Sequence, residues 1–252
     1  SNMARLLLAA ATVLIAAYFA QAEPVRRGPG ICVAKGACTI GHHNPDDPPL
    51  SAPCINNTDA TYPDKSWADS VYSFCPLLAG KKLCCTQDQF QSSQTQVALA
   101  GAVLGSCPAC YENFRNYFCA TTCHPDQSLF TAIADVVIGD QGIAVANNTY
   151  VVVNDAMGSV LYTSCASVHN PQDGQLVLKE VFDATDFFSF MTNAAKQSVD
   201  YGFTAQTIVP VSSSAAPFVR EIGLDPAHSL IQTVFSCNDS RFNCSSADCP
   251  VR

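Results

Sequence analysis

Fourteen cysteines in a chain of 252 residues restrict the possible folds more than any other feature of the sequence. Two of them, Cys84 and Cys85, are adjacent, and neighbouring cysteines rarely bond to each other because the small ring that results is strained. Each of the two is therefore expected to bond to a different part of the chain. The pattern predicts a scaffold in which disulfide bonds tie distant segments together.

The amino terminus has the pattern of a secretory signal peptide. Ser1-Asn2 is typical of a cloning remnant, and Met3-Ala4-Arg5 then precedes an apolar run from Leu6 to Ala20. Ala20-Gln21-Ala22 has the small-x-small pattern that a signal peptidase cleaves, so residues 1–22 are expected to be removed and residues 23–252 to form one luminal domain. A retained signal anchor is the alternative. The lumen of the secretory pathway is oxidising, so the cysteines are expected to be paired.

The surface is predicted to be acidic and glycosylated. A net charge of −8 argues against nucleic acid or an anionic membrane surface as a partner, because both attract Lys and Arg. Four sequons place candidate glycans at Asn56, Asn147, Asn238 and Asn243.

The hydrophobic pattern predicts an α+β domain, helix-rich, with a small mixed β-sheet. The Pro-, Gly- and Asp-rich segment from Glu23 to Pro63 is predicted to be loop, tied down by three cysteines. Helices are predicted over Ser66–Phe74, from a Thr86 capping box toward Leu104, from Pro108, from Asp155 to Cys165 and after Asp186; strands are predicted at Val151–Val153 and Phe203–Val209, and a loop at Ser212–Pro217.

The Cys107-Pro108-Ala109-Cys110 segment has the spacing of a redox-active dithiol. Redox enzymes place this motif after a strand, whereas here it follows a predicted helix, so structural pairing with distant partners is favoured. Zinc is the other possibility for such clusters. It is disfavoured because secreted thiols are oxidised and no His-x-x-x-His spacing is present. His42-His43 lies in a Pro/Asp-rich loop and is expected to be solvated, so no metal site is predicted.

Hydrolytic chemistry is not indicated either. No Gly-x-Ser-x-Gly elbow is present, and His124 and Asp126 have no identifiable nucleophile beside them. We interpret these two residues as part of a turn, and expect neither catalytic residues nor a cofactor.

Three segments together resemble a known family. They are Cys84-Cys85-Thr86-Gln87-Asp88-Gln89, the stretch from Cys107 to Cys119, and Thr122-Cys123-His124-Pro125-Asp126-Gln127-Ser128. With the opening Cys32-x5-Cys38 and the closing Cys237, Cys244 and Cys249, they resemble the luminal N-terminal domain of the Niemann-Pick type C sterol transporters. The resemblance covers the mature chain, more loosely over 131–154 and 166–200, and implies a ligand pocket like that of the folate receptors.

The resemblance also implies a complete pairing of the cysteines. The family pattern gives Cys32–Cys84, Cys38–Cys54, Cys75–Cys119, Cys85–Cys123, Cys107–Cys244, Cys110–Cys165 and Cys237–Cys249. Two further bridges of some members lack both partners here, and Ser246 stands where one of those cysteines would be.

By the same resemblance the domain holds one sterol in an apolar pocket, with the 3β-hydroxyl innermost. Gln89 matches the residue that bonds this hydroxyl. The alternative is that Gln89 only completes the capping box with Thr86. The other residues carried over as ligand-binding are Asn116, Phe118, Thr122, Phe203 and Ala205. Ordinary core packing is the alternative for Phe118. Pro53 and Ala34 replace an asparagine and a tryptophan of the family, so recognition of the hydroxyl is expected to depend on Gln89, a backbone group or water.

Leu176, Val177, Leu178 and Phe190 are hypothesised to line the mouth of the pocket, with amphipathic packing as the alternative. The implied partners are a sterol such as cholesterol or ergosterol, a soluble Niemann-Pick type C sterol carrier and the remainder of a multi-pass membrane transporter. The implied location is the lumen of an endosome, lysosome or vacuole. A receptor or adhesion ectodomain, with no internal lipid site, is the alternative from another class.

Overall fold

The computed structural model of the chain describes residues 25–41, 50–139, 142–170, 172–199, 205–237 and 239–242. Several predictions concern residues outside these ranges: the signal peptide, His42-His43, Phe203, Asn238, Asn243, Cys244, Ser246 and Cys249.

The described chain is a mixed helix and sheet domain, which confirms the predicted α+β class. Its strands are β1 (Ala34–Gly41), β2 (Leu50–Ile55), β3 (Thr131–Ile138), β4 (Ala144–Val153) and β5 (Ala205–Pro210). Its helices are α1 (Lys65–Phe74), α2 (Gln87–Leu104), α3 (Pro108–Cys123), α4 (Gln127–Phe130), α5 (Asp155–Cys165), α6 (Val177–Glu180), α7 (Phe187–Val199) and α8 (Ala216–Glu221), with a 3-10 helix at Pro76–Leu78.

The sheet is mixed and built around β4. β3 pairs with β4 in antiparallel fashion along one edge. Along the other edge β2 meets Val145 in antiparallel fashion, and β5 pairs in parallel with residues 148–153. β1 joins the sheet through β2, which gives the order β1-β2-β4-β3 with β5 beside β4.

Side chains cap the starts of three helices, and two of these caps, at Thr86 and Asp186, were predicted. The Thr86 side chain accepts a hydrogen bond from the Gln89 backbone, and the Gln89 side chain accepts one from the Thr86 backbone, so the capping box is confirmed. Asn154 caps α5 by accepting from the Met157 backbone N–H at 3.1 Å. Asp186 accepts from the Ser189 backbone N–H at 2.8 Å at the start of α7. Side-chain acceptors satisfy backbone donors that the first turn of a helix leaves free.

Two predictions of loop were wrong in part. The segment before Pro63 contains the β1–β2 hairpin, whose strands are joined by the Cys38–Cys54 disulfide, so cross-linking stabilises short strands that composition alone argues against. The segment Ser212–Pro217 is non-helical through Ala215, as predicted, but its last two residues are helical, because α8 begins at Ala216 with Pro217 in its first turn, where a missing N–H costs nothing.

Five of the seven predicted disulfides lie within the described residues and are confirmed: Cys32–Cys84, Cys38–Cys54, Cys75–Cys119, Cys85–Cys123 and Cys110–Cys165. Cys107 and Cys237 are also disulfide-bonded. Their Sγ atoms are 3.6 Å apart, too far for a bond to each other. Their predicted partners Cys244 and Cys249 lie outside the described residues. Cys84 and Cys85 bond to different segments, as their adjacency required.

The largest hydrophobic cluster lies where α3, α5 and α7 meet β4 and β5. Its fully buried members include Tyr117, Leu161, Phe190 and Val151. Gly158 permits the close contact of α5 with α7, because a Cβ at this position would come within 2.5 Å of the Phe187 ring. A smaller cluster around Trp67 and Phe90 packs α1 against the start of α2.

Asn113 fastens the carboxyl-terminal segment to α3. It is fully buried, donates from Nδ2 to the Phe235 carbonyl at 2.7 Å and to Ser164 Oγ at 2.9 Å, and accepts at Oδ1 from the Phe235 N–H at 2.8 Å. These bonds satisfy an amide that would otherwise be costly to bury.

Candidate functional site

Gln89 combines the two roles that its sequence context left open. Its side-chain Oε1 accepts hydrogen bonds from the backbone N–H of Thr86 at 3.0 Å and from the backbone N–H of Gly36 in β1 at 2.8 Å. The carbonyl end is therefore occupied. Its NH2 group makes no hydrogen bond to any residue that the structure describes. Gln89 thus presents two donors and no spare acceptor, held in a fixed orientation by α2 and β1.

Gly36 makes this orientation possible. Its φ of 94° lies in the region that side chains with a Cβ rarely adopt, and this conformation brings its N–H to Gln89. The β1–β2 register places Pro53 opposite Ala37, next to Gly36. Proline has no backbone N–H and no polar side-chain atom, so position 53 has no hydrogen bond to donate to a ligand. Ala34 is buried and donates its N–H to Gln127.

Ser93 lies one helical turn after Gln89 on α2, and it bonds to Thr122 of α3. Ser93 is only 6% exposed, and Thr122 Oγ1 donates to Ser93 Oγ at 3.4 Å. Thr122 itself is half-buried. Sequence analysis missed Ser93, although its position four residues after Gln89 places both on one face of α2.

Phe118 lies four residues before Thr122, on the same face of α3. It is half-buried and packs against the main hydrophobic cluster, with its ring 4.8 Å from that of Phe114. Phe114 in turn lies 5.9 Å from Phe190 of α7. A row of aromatic rings therefore runs from α3 to α7, in which Phe114 and Phe190 are buried and Phe118 is the half-buried end.

Tyr117 and Gln206 form a second contact that the sequence did not indicate. Tyr117 is fully buried, and its hydroxyl donates to Gln206 Oε1 of β5 at 3.3 Å. Burial raises the pKa of the Tyr117 phenol, so the hydroxyl keeps its proton. The bond holds α3 against β5, the strand that begins at the predicted ligand-binding residue Ala205.

The structure does not bring Asn116 together with the other predicted ligand residues. Two positions on a helix differ by about 200°, so Asn116 and Phe118 lie on opposite sides of α3. Asn116 is 2% exposed and donates to Glu112 at 3.2 Å. It lines a separate cavity of about 250 Å³ with Leu77, Leu78, Ile231 and others, so we leave it out of the candidate site.

Exposure also divides the predicted mouth residues. Val177, Leu178 and Phe190 are 0%, 2% and 0% exposed and belong to the main hydrophobic cluster, so the packing alternative describes these three. Leu176, the residue just before α6, is 38% exposed. Of the four predicted mouth residues, only Leu176 is available at the surface to contact another molecule.

The polar contacts of the candidate site are neutral. The hydrogen bonds and ring contacts of Gln89, Ser93, Phe118 and Thr122 within the described chain involve no charged group. In the described ranges there is also no cluster of His, Cys, Asp and Glu that could hold a metal. Cys110, half of the Cys-x-x-Cys motif, is buried and bonded to Cys165, which confirms its structural role.

The two sequons within the described chain are accessible. Asn56 and Asn147 are both exposed. No described helix combines the length and apolarity needed to cross a membrane.

The fold and the site define a disulfide-braced α+β domain with a neutral, partly aromatic site between α2, α3 and β1. The family model described as Niemann-Pick C1 N terminus matches residues 29–252 of the chain. The chain therefore belongs to this family, as its cysteine pattern predicts.

Curated relatives carry names of cholesterol transporters. The NPC intracellular cholesterol transporter 1 homolog 1 of Caenorhabditis elegans is 35% identical over 112 residues, which is 42% of this chain and 8% of the relative. The NPC1-like intracellular cholesterol transporter 1 of Rattus norvegicus is 26% identical over 234 residues, or 85% of this chain and 17% of the relative. The Homo sapiens protein of the same name is 27% identical over 210 residues, or 78% and 15%. The matches thus span less than a fifth of each relative.

Proposed function

We propose that this domain binds a single sterol, with the sterol 3β-hydroxyl at Gln89 and the rings along α3. The observation that carries the proposal is the state of Gln89, whose carbonyl is held by two backbone amides while its NH2 group bonds to none of the described residues. A hydroxyl oxygen accepts from such a donor, and an apolar site with few directed polar groups suits a sterol. Family membership and the names of the relatives support the same ligand class.

The order of side chains matches the polarity of the ligand. Gln89 supplies polar donors at one end, and Phe118 supplies apolar surface one helical turn before Thr122 on α3. The family pattern also assigns to the proposed wall Ala205, the first residue of β5, and Phe203, which lies outside the described residues. A neutral ligand is favoured because no charge contacts these side chains within the described chain.

The energetics permit reversible binding. Burial of about 400 Å² of apolar ligand surface contributes roughly 10 kcal/mol at ~25 cal/mol per Å². Association costs at least ~4 kcal/mol of this. The remainder allows useful affinity without irreversible retention, as transfer of cargo requires.

We further propose that the domain is the luminal head of a multi-pass transporter in an endosomal, lysosomal or vacuolar membrane. The short part of each relative that the chain matches supports this arrangement. A soluble Niemann-Pick type C sterol carrier would deliver the sterol. Leu176 is then its proposed contact, because it is the exposed member of the predicted mouth.

A binding assay separates this function from a receptor ectodomain that presents only a protein-binding surface. Purified residues 23–252 are titrated with radiolabelled cholesterol, with and without excess unlabelled cholesterol. We expect saturable binding of about one sterol per chain. Absence of saturable binding by a folded, disulfide-bonded domain would contradict the sterol proposal and leave the receptor alternative.

A further inference from the structure

The asparagines of the two described sequons differ in how their side-chain amides are held. Asn56 and Asn147 are both exposed, so accessibility does not distinguish them. The Asn56 amide makes two hydrogen bonds to one residue: its Oδ1 accepts from the Lys35 backbone N–H at 3.2 Å, and its Nδ2 donates to the Lys35 backbone carbonyl. Asn147 Nδ2 donates to Asp135 Oδ2 at 2.7 Å, and Asn147 Oδ1 bonds to no residue in the described part of the chain.

The bonds of Asn56 compensate for an irregularity in the β1–β2 hairpin. The register shifts between Ala34 and Ala37, so that Lys35 and Gly36 form a bulge in β1. The extra residue of a bulge has no regular partner on the neighbouring strand, and its backbone groups need partners elsewhere. Asn56 follows β2 directly and bonds to both backbone groups of Lys35, so its side chain replaces the missing strand partner.

The proton that Asn56 donates is the one that a glycan would replace. Its Oδ1 and Nδ2 bond side by side to the N–H and C=O of Lys35, which requires the donated proton to lie on the Oδ1 side of the amide, opposite to Cβ. An N-linked sugar is attached to Nδ2, and the resulting secondary amide is trans, as a peptide bond is, so the sugar also lies opposite to Cβ. A glycan at Asn56 therefore removes the bond to the Lys35 carbonyl.

We propose that Asn56 closes the β1 bulge in the folded domain and carries no glycan, and that Asn147 is the glycan acceptor of the two described sequons. Sugar transfer to Asn56 requires that the bulge has not yet closed, and a chain modified there cannot close it with this side chain. The folded domain is therefore formed from chains with an unmodified Asn56. Asn147 makes a single bond, to Asp135, and its Oδ1 is not engaged by a described residue, so its amide can turn and keep that bond with either proton.

The test is a map of the glycans on the chain secreted from a glycosylating host cell. The folded, disulfide-bonded monomer is separated from aggregates by gel filtration. Its glycans are then removed in heavy-oxygen water by a glycosidase that converts each glycosylated asparagine into isotope-labelled aspartate. In the monomer we expect label at Asn147 and none at Asn56, with any label at Asn56 confined to the aggregates. Label at Asn56 in the monomer, or its absence at Asn147, overturns the proposal.

Two variants that both destroy the Asn56 sequon separate the amide from the glycan. Thr58→Val keeps the Asn56 amide and loses only the 3.4 Å bond from Thr58 Oγ1 to Asn56 Oδ1, so urea unfolding should show an unfolding constant within about twofold of the unmodified chain. Asn56→Ala also removes the bonds to Lys35, and the unfolding constant should rise about 2- to 12-fold. Equal effects of the two variants would overturn the role of the amide. The glycan map needs no variant, so it decides the proposal even if Asn56→Ala does not fold.

Discussion

The side-chain carbonyl of Gln89 lies 2.8 Å from the backbone nitrogen of Gly36, 53 residues earlier in the chain. This bond joins the first turn of α2 to β1, and it leaves the Gln89 NH2 group as the part of the side chain that can bind a ligand. A single glutamine therefore caps a helix, fixes a strand and presents a donor. The proposed hydroxyl site depends on this arrangement.

Replacement of Gly36 by alanine should disturb both strand and site. The φ of 94° is unfavourable for alanine, although the space around its Cβ is sufficient, with Cys54 Sγ the nearest atom at 3.5 Å. We expect the free energy of unfolding in urea to fall by about 1–3 kcal/mol and sterol affinity to fall with it. Gly80→Ala is the matched control, since Gly80 also has positive φ and a Cβ there would have no atom within 4 Å. It should cost similar stability and leave sterol affinity unchanged; equal loss of affinity in both variants would contradict a role for the Gly36 contact.

The two sides of α3 should differ in their effect on the ligand. Phe118→Ala removes an aromatic surface, and we expect sterol affinity to fall roughly 10- to 100-fold, equivalent to about 1.5–3 kcal/mol of apolar contact. Asn116→Ala should change affinity by less than about twofold, because Asn116 lines a separate cavity on the opposite side. Equilibrium binding of radiolabelled sterol measures both. A large loss with Asn116→Ala and none with Phe118→Ala would place the ligand on the other side of α3.

His124 should make stability decrease at low pH. Burial lowers the pKa of His124 below its usual value near 6.5, and the charge of Lys81 lowers it further while Asp126 opposes the shift. The unfolded chain then binds the proton first, so stability from the neutral imidazole is complete above pH 6.5 and is lost as pH falls toward the lowered pKa, by at most about 1.4 kcal/mol per pH unit. His124→Asn keeps an acceptor for the Asp126 N–H, which His124 Nδ1 accepts at 3.1 Å.

Urea unfolding at pH 7 and pH 5 measures this effect. We expect the unmodified domain to lose more stability than His124→Asn over this interval. If the two proteins lose equal amounts, protonation of His124 has no part in the pH dependence.

Leu176 should influence delivery of the sterol more than its retention. Leu176 is 38% exposed, so Leu176→Gln is expected to slow transfer from a soluble carrier severalfold while equilibrium affinity stays within about twofold. Val160→Gln is a matched control, because Val160 of α5 is also 38% exposed. Stopped-flow transfer of a fluorescent sterol separates the rate from the affinity. Equal rates for both variants would remove Leu176 from the docking surface.

The cysteine framework was the part of the fold that the sequence could predict well. The five pairs in the described chain agree with the family pattern, because a disulfide requires two specific residues and tolerates few substitutes. Helix starts were also predictable, since capping by Thr86, Asn154 and Asp186 depends on neighbouring residues.

Long-range contacts could not be predicted in the same way. The bond between Gln89 and Gly36 joins segments whose proximity follows from the whole fold, and the β1–β2 hairpin was hidden by its Pro- and Gly-rich composition. The assignment of Asn116 to the pocket came from the family pattern and stays a prediction, although a spacing of two on a helix already places it on the opposite side of α3 from Phe118.

The central claim is that the Gln89 NH2 group donates to the sterol hydroxyl. Gln89→Glu replaces this donor by an acceptor and keeps the side-chain oxygen that Thr86 and Gly36 bond. Binding of the 3-ketone of cholesterol, whose oxygen can only accept, and of the 3-deoxy analogue, by the unmodified domain and by Gln89→Glu at pH 7, forms a complete cycle. We predict that the unmodified domain prefers the 3-ketone by about 5- to 150-fold, or 1–3 kcal/mol, and that Gln89→Glu loses most of this preference while binding the 3-deoxy analogue as before. An unchanged preference in a folded Gln89→Glu domain would contradict the assignment.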